Sequence, residues 1–151
     1  MQFSSLSDSN IKRSFAEAVV EGLAPDKGLY FPNRIPELPE EFWLSTEDKN
    51  SWDIGAEMLT PYTEGCLTKD ELLEILRDVL NFPIPLHEIE SGVFSLELFH
   101  GPTSAFKDVG ARFMSRVLSR ISNSRLTILV ATSGDTGSAV ANGFLGVPNI
   151  D

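Results

Sequence analysis

Thr127-Ile128-Leu129-Val130-Ala131 is the stretch that most constrains the fold. A short, continuous apolar run without polar alternation reads as a strand buried on both faces of a parallel sheet. Parallel neighbours need a long crossover, usually a helix, and helical patterns flank this run on both sides. Upstream, Phe113, Met114, Val117, Leu118 and Ile121 recur at helical spacing and predict a helix that buries all five. Downstream, Ser138 to Phe144 predicts a second helix, ended by Gly146-Val147-Pro148. Two further strands are predicted earlier, at Leu86–Ile89 and Val93–Phe99. This ordering gives an α/β class: a partial, open parallel sheet with flanking helices and right-handed crossovers. Pro148-Asn149-Ile150-Asp151 reads as the loop entering a next parallel strand, so the sequence reads as a fragment of a longer protein. Its unpaired sheet edge predicts a tendency to self-associate.

The chain before this region reads as a mostly helical leading segment, residues 1–85, with residues 86–151 beginning the α/β region. A short strand is predicted near Phe3, and Ser14-Phe15-Ala16-Glu17 has the form of a capping box opening a helix from Phe15 to Leu23. Leu29-Tyr30-Phe31 reads as a strand stopped by Pro32, and Pro32, Pro36 and Pro39 make an extended connector. Trp52, Ala56 and Leu59 predict a helix broken by Pro61. Thr68-Lys69-Asp70-Glu71 is a second capping box, and Leu72, Leu73, Leu76, Val79 and Leu80 give the helix behind it one apolar face.

Composition removes several classes of function. No apolar run approaches the roughly 20 residues of a membrane span, and no signal peptide opens the chain. A net charge of −10 repels phosphate backbones and anionic lipid, which argues against nucleic acid and membrane surfaces as partners. Cys66 is the only cysteine, so no intrachain disulfide forms and a reducing cytoplasm fits. His87 and His100 have no ligand-spaced partners, so no metal site is predicted.

Two stretches carry chemistry. In Gly101-Pro102-Thr103-Ser104-Ala105-Phe106-Lys107-Asp108 a Gly-Pro turn feeds a helix whose first turn holds a lysine. A cation there opposes the helix dipole, and both that field and burial favour the neutral, nucleophilic amine. Gly110 and Ala111, three and four residues on, leave space beside the lysine stem for a flat aromatic group, or equally for close helix packing. The second stretch is Thr132-Ser133-Gly134-Asp135-Thr136-Gly137, between the buried strand and its helix. Unpaired N–H groups at a helix start, the Ser133 and Thr136 hydroxyls and the two glycines make an anion-binding arrangement. It is neither a Walker A loop nor a G-x-G-x-x-G fingerprint. Asp135 repels anions and suits a ligand hydroxyl or ammonium.

Taken together, these residues resemble the threonine synthases of bacterial type. The stretches that carry the resemblance are Ser14 to Ala18, Gly28 to Pro32, Leu96 to Thr103, Ala105 to Asp108 and Ala131 to Gly137. Ser104 departs from the bulky apolar residue usual in the family, and Lys27 is a second departure. The resemblance implies a fold type II enzyme dependent on pyridoxal 5'-phosphate, similar to the tryptophan synthase β subunit, of which this is the N-terminal portion. It implies a carbon–oxygen lyase that turns O-phospho-L-homoserine and water into L-threonine and phosphate. Lys107 would bond the cofactor and shuttle protons at Cα and Cβ of the substrate. Thr132, Ser133, Gly134, Asp135, Thr136 and Gly137 would bind the anionic end of the substrate, with Asp135 near the cofactor hydroxyl. In the family the cofactor-phosphate loop and the partner of the pyridine nitrogen come later in the chain. These 151 residues alone are therefore expected to be inactive and to bind the cofactor weakly. A threonine dehydratase is disfavoured, because that group commonly has Asn where Asp135 stands. The presence of Lys107 argues against a non-catalytic binding module.

Overall fold

The computed structural model describes residues 1–151, which form two compact units, Met1–Leu76 and Arg77–Asp151. In the first unit, β1 (Phe3–Ser5) lies between β2 (Lys12–Arg13) and β3 (Tyr30–Pro32) in an antiparallel sheet of order β2-β1-β3. Register places Phe3 opposite both Arg13 and Pro32. Pro32 is tolerated because it closes an edge strand, where its missing N–H is no loss. Between β2 and β3, α1 (Phe15–Glu21) opens on the predicted capping box. The Ser14 hydroxyl accepts from Glu17 N, and the Ser14 N–H donates to Glu17 Oε2 at 2.8 Å. A turn then carries the chain to β3, and it requires Gly28, because a Cβ there would fall 2.1 Å from Ser5 Oγ.

After the proline connector come α2 (Glu40–Leu44), a 3-10 turn at Thr46–Asp48, α3 (Ser51–Thr63) and α4 (Lys69–Val79). The core of this unit gathers Phe42, Ala56, Leu67, Leu72, Ile75 and Leu76, all buried. Gly55 lets α4 approach α3, since a Cβ there would meet Leu76 Cδ1 at 3.2 Å. The expected break at Pro61 does not occur, and α3 runs through it to Thr63. Pro61 sits in the last turn, where it forfeits one helical hydrogen bond and little remains downstream to disrupt. The hydroxyls of Thr60 and Thr63 bond the carbonyls of Ala56 and Leu59 around it. The second capping box forms as predicted, with the Thr68 N–H and hydroxyl both donating to Glu71 Oε2 at 2.8 Å.

In the second unit, β4 (Leu86–Glu90) and β5 (Val93–Leu96) pair as an antiparallel hairpin, with a register shift between Glu88 and Glu90. β5 ends at Leu96, short of the Phe99 expected, because the chain turns towards Gly101. α5 (Lys107–Ile121) and α6 (Asp135–Phe144) are the main packed pair of this unit. α6 begins three residues earlier than the sequence suggested, so Asp135, Thr136 and Gly137 form its first turn.

The parallel sheet is represented by a single bridge, Leu126 to Ile150, flanked by Leu126 N–H to Asn149 O and Ile128 N–H to Asp151 O. The 127–131 run is therefore not a strand buried on two faces: Leu129 is 91% exposed and Val130 half-exposed. Its one partner segment ends its pairing at Ile128, and an apolar run is buried only where neighbouring strands and helices cover it. α5 also departs from expectation. Val117 and Leu118 are buried and Phe113 and Ile121 half-buried, but Met114 is 46% exposed. The inward stripe is instead partly polar, with Asp108, Arg112 and Ser115 at helical spacing and all buried. Each finds partners: Ser115 Oγ donates to Gly143 O at 2.6 Å and Arg112 donates to Asp78 O at 2.6 Å. A polar stripe bonded in this way can face inwards in place of an apolar one, with the Arg112 Nε alone left buried without a partner.

Candidate functional site

The site is built where α5 meets α6. Gly143 sets the approach: a Cβ there would lie 3.0 Å from the Ala111 carbonyl carbon and 3.1 Å from the Arg112 nitrogen. Ser115 Oγ and the Arg116 guanidinium both donate to Gly143 O, locking the same crossing with hydrogen bonds. Arg116 also pairs with Asp78 at 2.6 Å, so α5 is tied both to α6 and to the end of α4.

Beside this crossing runs a groove of about 420 Å³. From α5 it is walled by Lys107, Gly110, Ala111 and Met114, which recur at helical spacing, with Phe106 at its start. From α6 it is walled by Thr136, Ala139, Val140 and Phe144. Met114 is thus exposed because it faces the groove. Gly110 has nothing within 4 Å of a would-be Cβ and leaves the floor open, whereas Ala111 also serves the packing against Gly143. The Lys107 ammonium lies 4.2 Å from the Phe106 ring centroid, a cation–π contact worth about 0.5–1 kcal/mol at an exposed site. It has no carboxylate partner, and it stands at the N-terminus of α5, where the helix dipole disfavours a cation.

The second stretch meets this groove at one residue. Thr136 lines it together with Lys107, whereas Thr132, Ser133, Gly134, Asp135 and Gly137 do not form its wall. Ser133 and Asp135 are exposed at the helix start. Gly134 is the N-cap, with φ of 150°, a conformation essentially closed to residues with a side chain. Gly137 is required internally: a Cβ there would fall 2.3 Å from Thr132 Cγ2. Ser138 turns its hydroxyl back to Gly134 O at 3.0 Å, and its N–H closes the first helical bond to the same carbonyl. The N–H groups of Asp135, Thr136 and Gly137 are left as the unpaired donors of the helix start.

The turn before Lys107 is organised by a residue to which sequence reasoning assigned no role. Asp108 is fully buried, and its carboxylate accepts from Thr103 N–H at 2.9 Å and Thr103 Oγ at 2.7 Å. A signal was available, since Asp108, Arg112 and Ser115 follow the i, i+4, i+7 spacing of a packed helix face. His100 pairs with Glu97 at 2.7 Å just upstream. Cys66 is half-buried, and burial pushes its thiol above the ordinary range, which keeps it protonated and unreactive.

The residues of the fold and groove define an α/β chain whose lysine-bearing helix and second helix start meet on one cleft through Lys107 and Thr136. Comparison with known proteins narrows this. Residues 2–79 match the family model described as threonine synthase N terminus. Threonine synthase of Escherichia coli is 43% identical over an alignment 155 positions long, covering 99% of this chain and 35% of the relative. The crystal structure of the Escherichia coli enzyme superposes with a TM-score of 0.91 at 41% identity, over 100% of this chain and 36% of that one. The structure of threonine synthase with bound PLP from Brucella melitensis superposes with a TM-score of 0.93 at 34% identity, over 100% of this chain and 34% of that one. The chain belongs to the threonine synthase family. It spans about a third of the length of these relatives.

Proposed function

We propose that this chain is the N-terminal part of a threonine synthase that converts O-phospho-L-homoserine and water into L-threonine and phosphate with pyridoxal 5'-phosphate. The observation that carries the reading is the shared groove: Lys107 and Thr136, from the two stretches singled out in the sequence, line one cleft. The cleft fits the cofactor. Its volume of about 420 Å³ lies in the range of small-molecule sites, Met114, Val140 and Phe144 offer apolar contact to a flat ring, and open space lies over Gly110. When bound, pyridoxal phosphate supplies the electron sink that makes carbon-bound protons of the substrate removable.

Lys107 would hold the cofactor through its amine and would take and return protons at the substrate Cα and Cβ. The unpaired N–H groups of Asp135, Thr136 and Gly137, with the hydroxyls of Thr132, Ser133 and Thr136, bind the anionic end of the substrate. Gly134 supplies the backbone turn that aims them, and the Asp135 carboxylate would accept from a cofactor hydroxyl. Residues 1–85 serve as the helical leading segment, and residues 86–151 begin a parallel cofactor-binding sheet of fold type II. The exposed Leu129–Val130 edge favours self-association wherever it lacks a neighbour. No helix is long and apolar enough to cross a membrane, and we assign the protein to the cytoplasm.

The test is spectroscopic and kinetic. Adding pyridoxal 5'-phosphate to the full protein produces the visible absorbance of lysine-bound cofactor and phosphate release from O-phospho-L-homoserine. Lys107→Ala loses both. Persistence of the absorbance and of phosphate release in Lys107→Ala refutes the assignment.

A further inference from the structure

We propose that Asp108 is a positioning residue for Lys107, holding the start of α5 in register by clamping the preceding turn. The inference rests on Lys107 being the cofactor lysine. Helix starts are ordinarily fixed by an N-cap side chain, and α5 has none: Phe106 occupies that position in a helical conformation with no side-chain cap bond. The tie runs the other way. Asp108, in the first turn, reaches back to accept from the Thr103 N–H at 2.9 Å and the Thr103 hydroxyl at 2.7 Å.

Three further features require that clamp. Ser104 N–H donates to Gly101 O at 3.1 Å, closing a turn in which Ser104 adopts φ of 56°. A non-glycine residue in that region is disfavoured and persists where its surroundings hold it. Gly101 is buried, with its would-be Cβ 2.6 Å from Asp108 Oδ2 and 3.1 Å from Phe82 Cζ. Only a glycine lets the turn close down on the carboxylate. Asp108 itself is fully buried and forms no ion pair, so its oxygens are satisfied through Thr103 alone. Two acceptor oxygens on one side chain let Asp108 hold both the N–H and the hydroxyl of Thr103 at once. Remove it, and the turn keeps its strained residue without its anchor. The first turn of α5, which carries Lys107 into the groove, is then free to fray.

The test compares lysines within one sample. The full protein is treated with pyridoxal 5'-phosphate, reduced with borohydride so that each bonded lysine is fixed as a secondary amine, and mapped by peptide mass. The other lysines of residues 1–151, Lys12, Lys27, Lys49 and Lys69, serve as internal references. The wild type labels Lys107 first. In Asp108→Ala the labelling of Lys107 relative to the references falls by about tenfold, the scale of one hydrogen bond to a charged group. Thr103→Val falls in the same direction, and Thr103→Ser restores selectivity because it keeps the hydroxyl donor. A role in stability alone lowers the melting midpoint of Asp108→Ala without changing that ratio, and an unchanged ratio in the folded variant overturns the proposal. Where Asp108→Ala does not fold, the Thr103→Val and Thr103→Ser pair decides, and wild-type selectivity in both overturns it. A wild type that shows no preference for Lys107 refutes the reading of the lysine itself, and the inference falls with it.

Discussion

Gly143→Ala sets two effects against each other, and the structure says which wins. Gly143 lies inside α6, where alanine is favoured over glycine by about 0.8–1.0 kcal/mol of intrinsic helix propensity. Propensity alone therefore predicts a more stable protein. The added methyl, however, lands 3.0 Å from the Ala111 carbonyl carbon, 3.1 Å from the Arg112 nitrogen and 3.3 Å from Ala111 Cβ. Two of these three atoms are backbone and cannot rotate away, so α6 must lift from α5 by a few tenths of an ångström. That shift also stretches the Ser115 and Arg116 bonds to Gly143 O. Overpacking of this kind costs about 1–3 kcal/mol, leaving a net destabilisation of about 1 kcal/mol after the propensity gain. Circular dichroism melts then show Tm lowered by about 2–4 °C, for a domain of 150–250 residues. Ala111→Gly in the same chain does not restore it, because it removes only the farthest of the three contacts. A raised Tm in Gly143→Ala, or full rescue by Ala111→Gly, refutes the close backbone crossing and the groove geometry built on it.

Two other expectations follow from local structure. Lys27 is exposed and holds φ of 67° in the turn before β3. Lys27→Gly relieves a cost of about 1–2 kcal/mol and adds about 0.5–1 kcal/mol of chain entropy, so a urea titration shows an unchanged to slightly higher midpoint, and a clear fall contradicts the assignment. The Glu17 carboxyl is held below its usual range, chiefly by the backbone N–H and then the hydroxyl of Ser14. A depressed folded-state value stabilises the fold above the unfolded pKa, about 4.3, and that gain is lost as pH falls through the folded value. Glu17→Gln flattens the pH dependence of Tm in that acidic window and leaves its slope near neutrality unchanged. An equally steep acid limb contradicts the cap.

What was legible in the sequence was what local chemistry decides. Both capping boxes form because Ser14 with Glu17, and Thr68 with Glu71, satisfy the same orphan donors in any context. Lys107 and the Thr132–Gly137 stretch stood out because a lysine at a helix start opposes the dipole, and hydroxyls with glycines at a helix start present anion-binding donors. What failed depended on neighbours. Periodicity marks Met114 as apolar and correctly spaced, yet cannot tell a core from a groove. It marks 127–131 as a buried strand, yet burial needs partners, and pairing ends at Ile128. The polar stripe of Asp108, Arg112 and Ser115 was passed over because its acceptors and donors, Thr103, Asp78 and Gly143, are set by tertiary folding. Ser104 and Lys27 both adopt positive φ, a strain that the backbone shows and composition does not.

The central claim is that Lys107, alone among the five lysines of these 151 residues, is the group that bonds pyridoxal phosphate. Borohydride reduction after incubation with a stoichiometric amount of pyridoxal 5'-phosphate, followed by peptide mass mapping, tests it most directly. The account predicts the pyridoxyl mass on the peptide containing Lys107 and its absence elsewhere. Label spread over Lys12, Lys27, Lys49 and Lys69, or concentrated on any one of them, contradicts it.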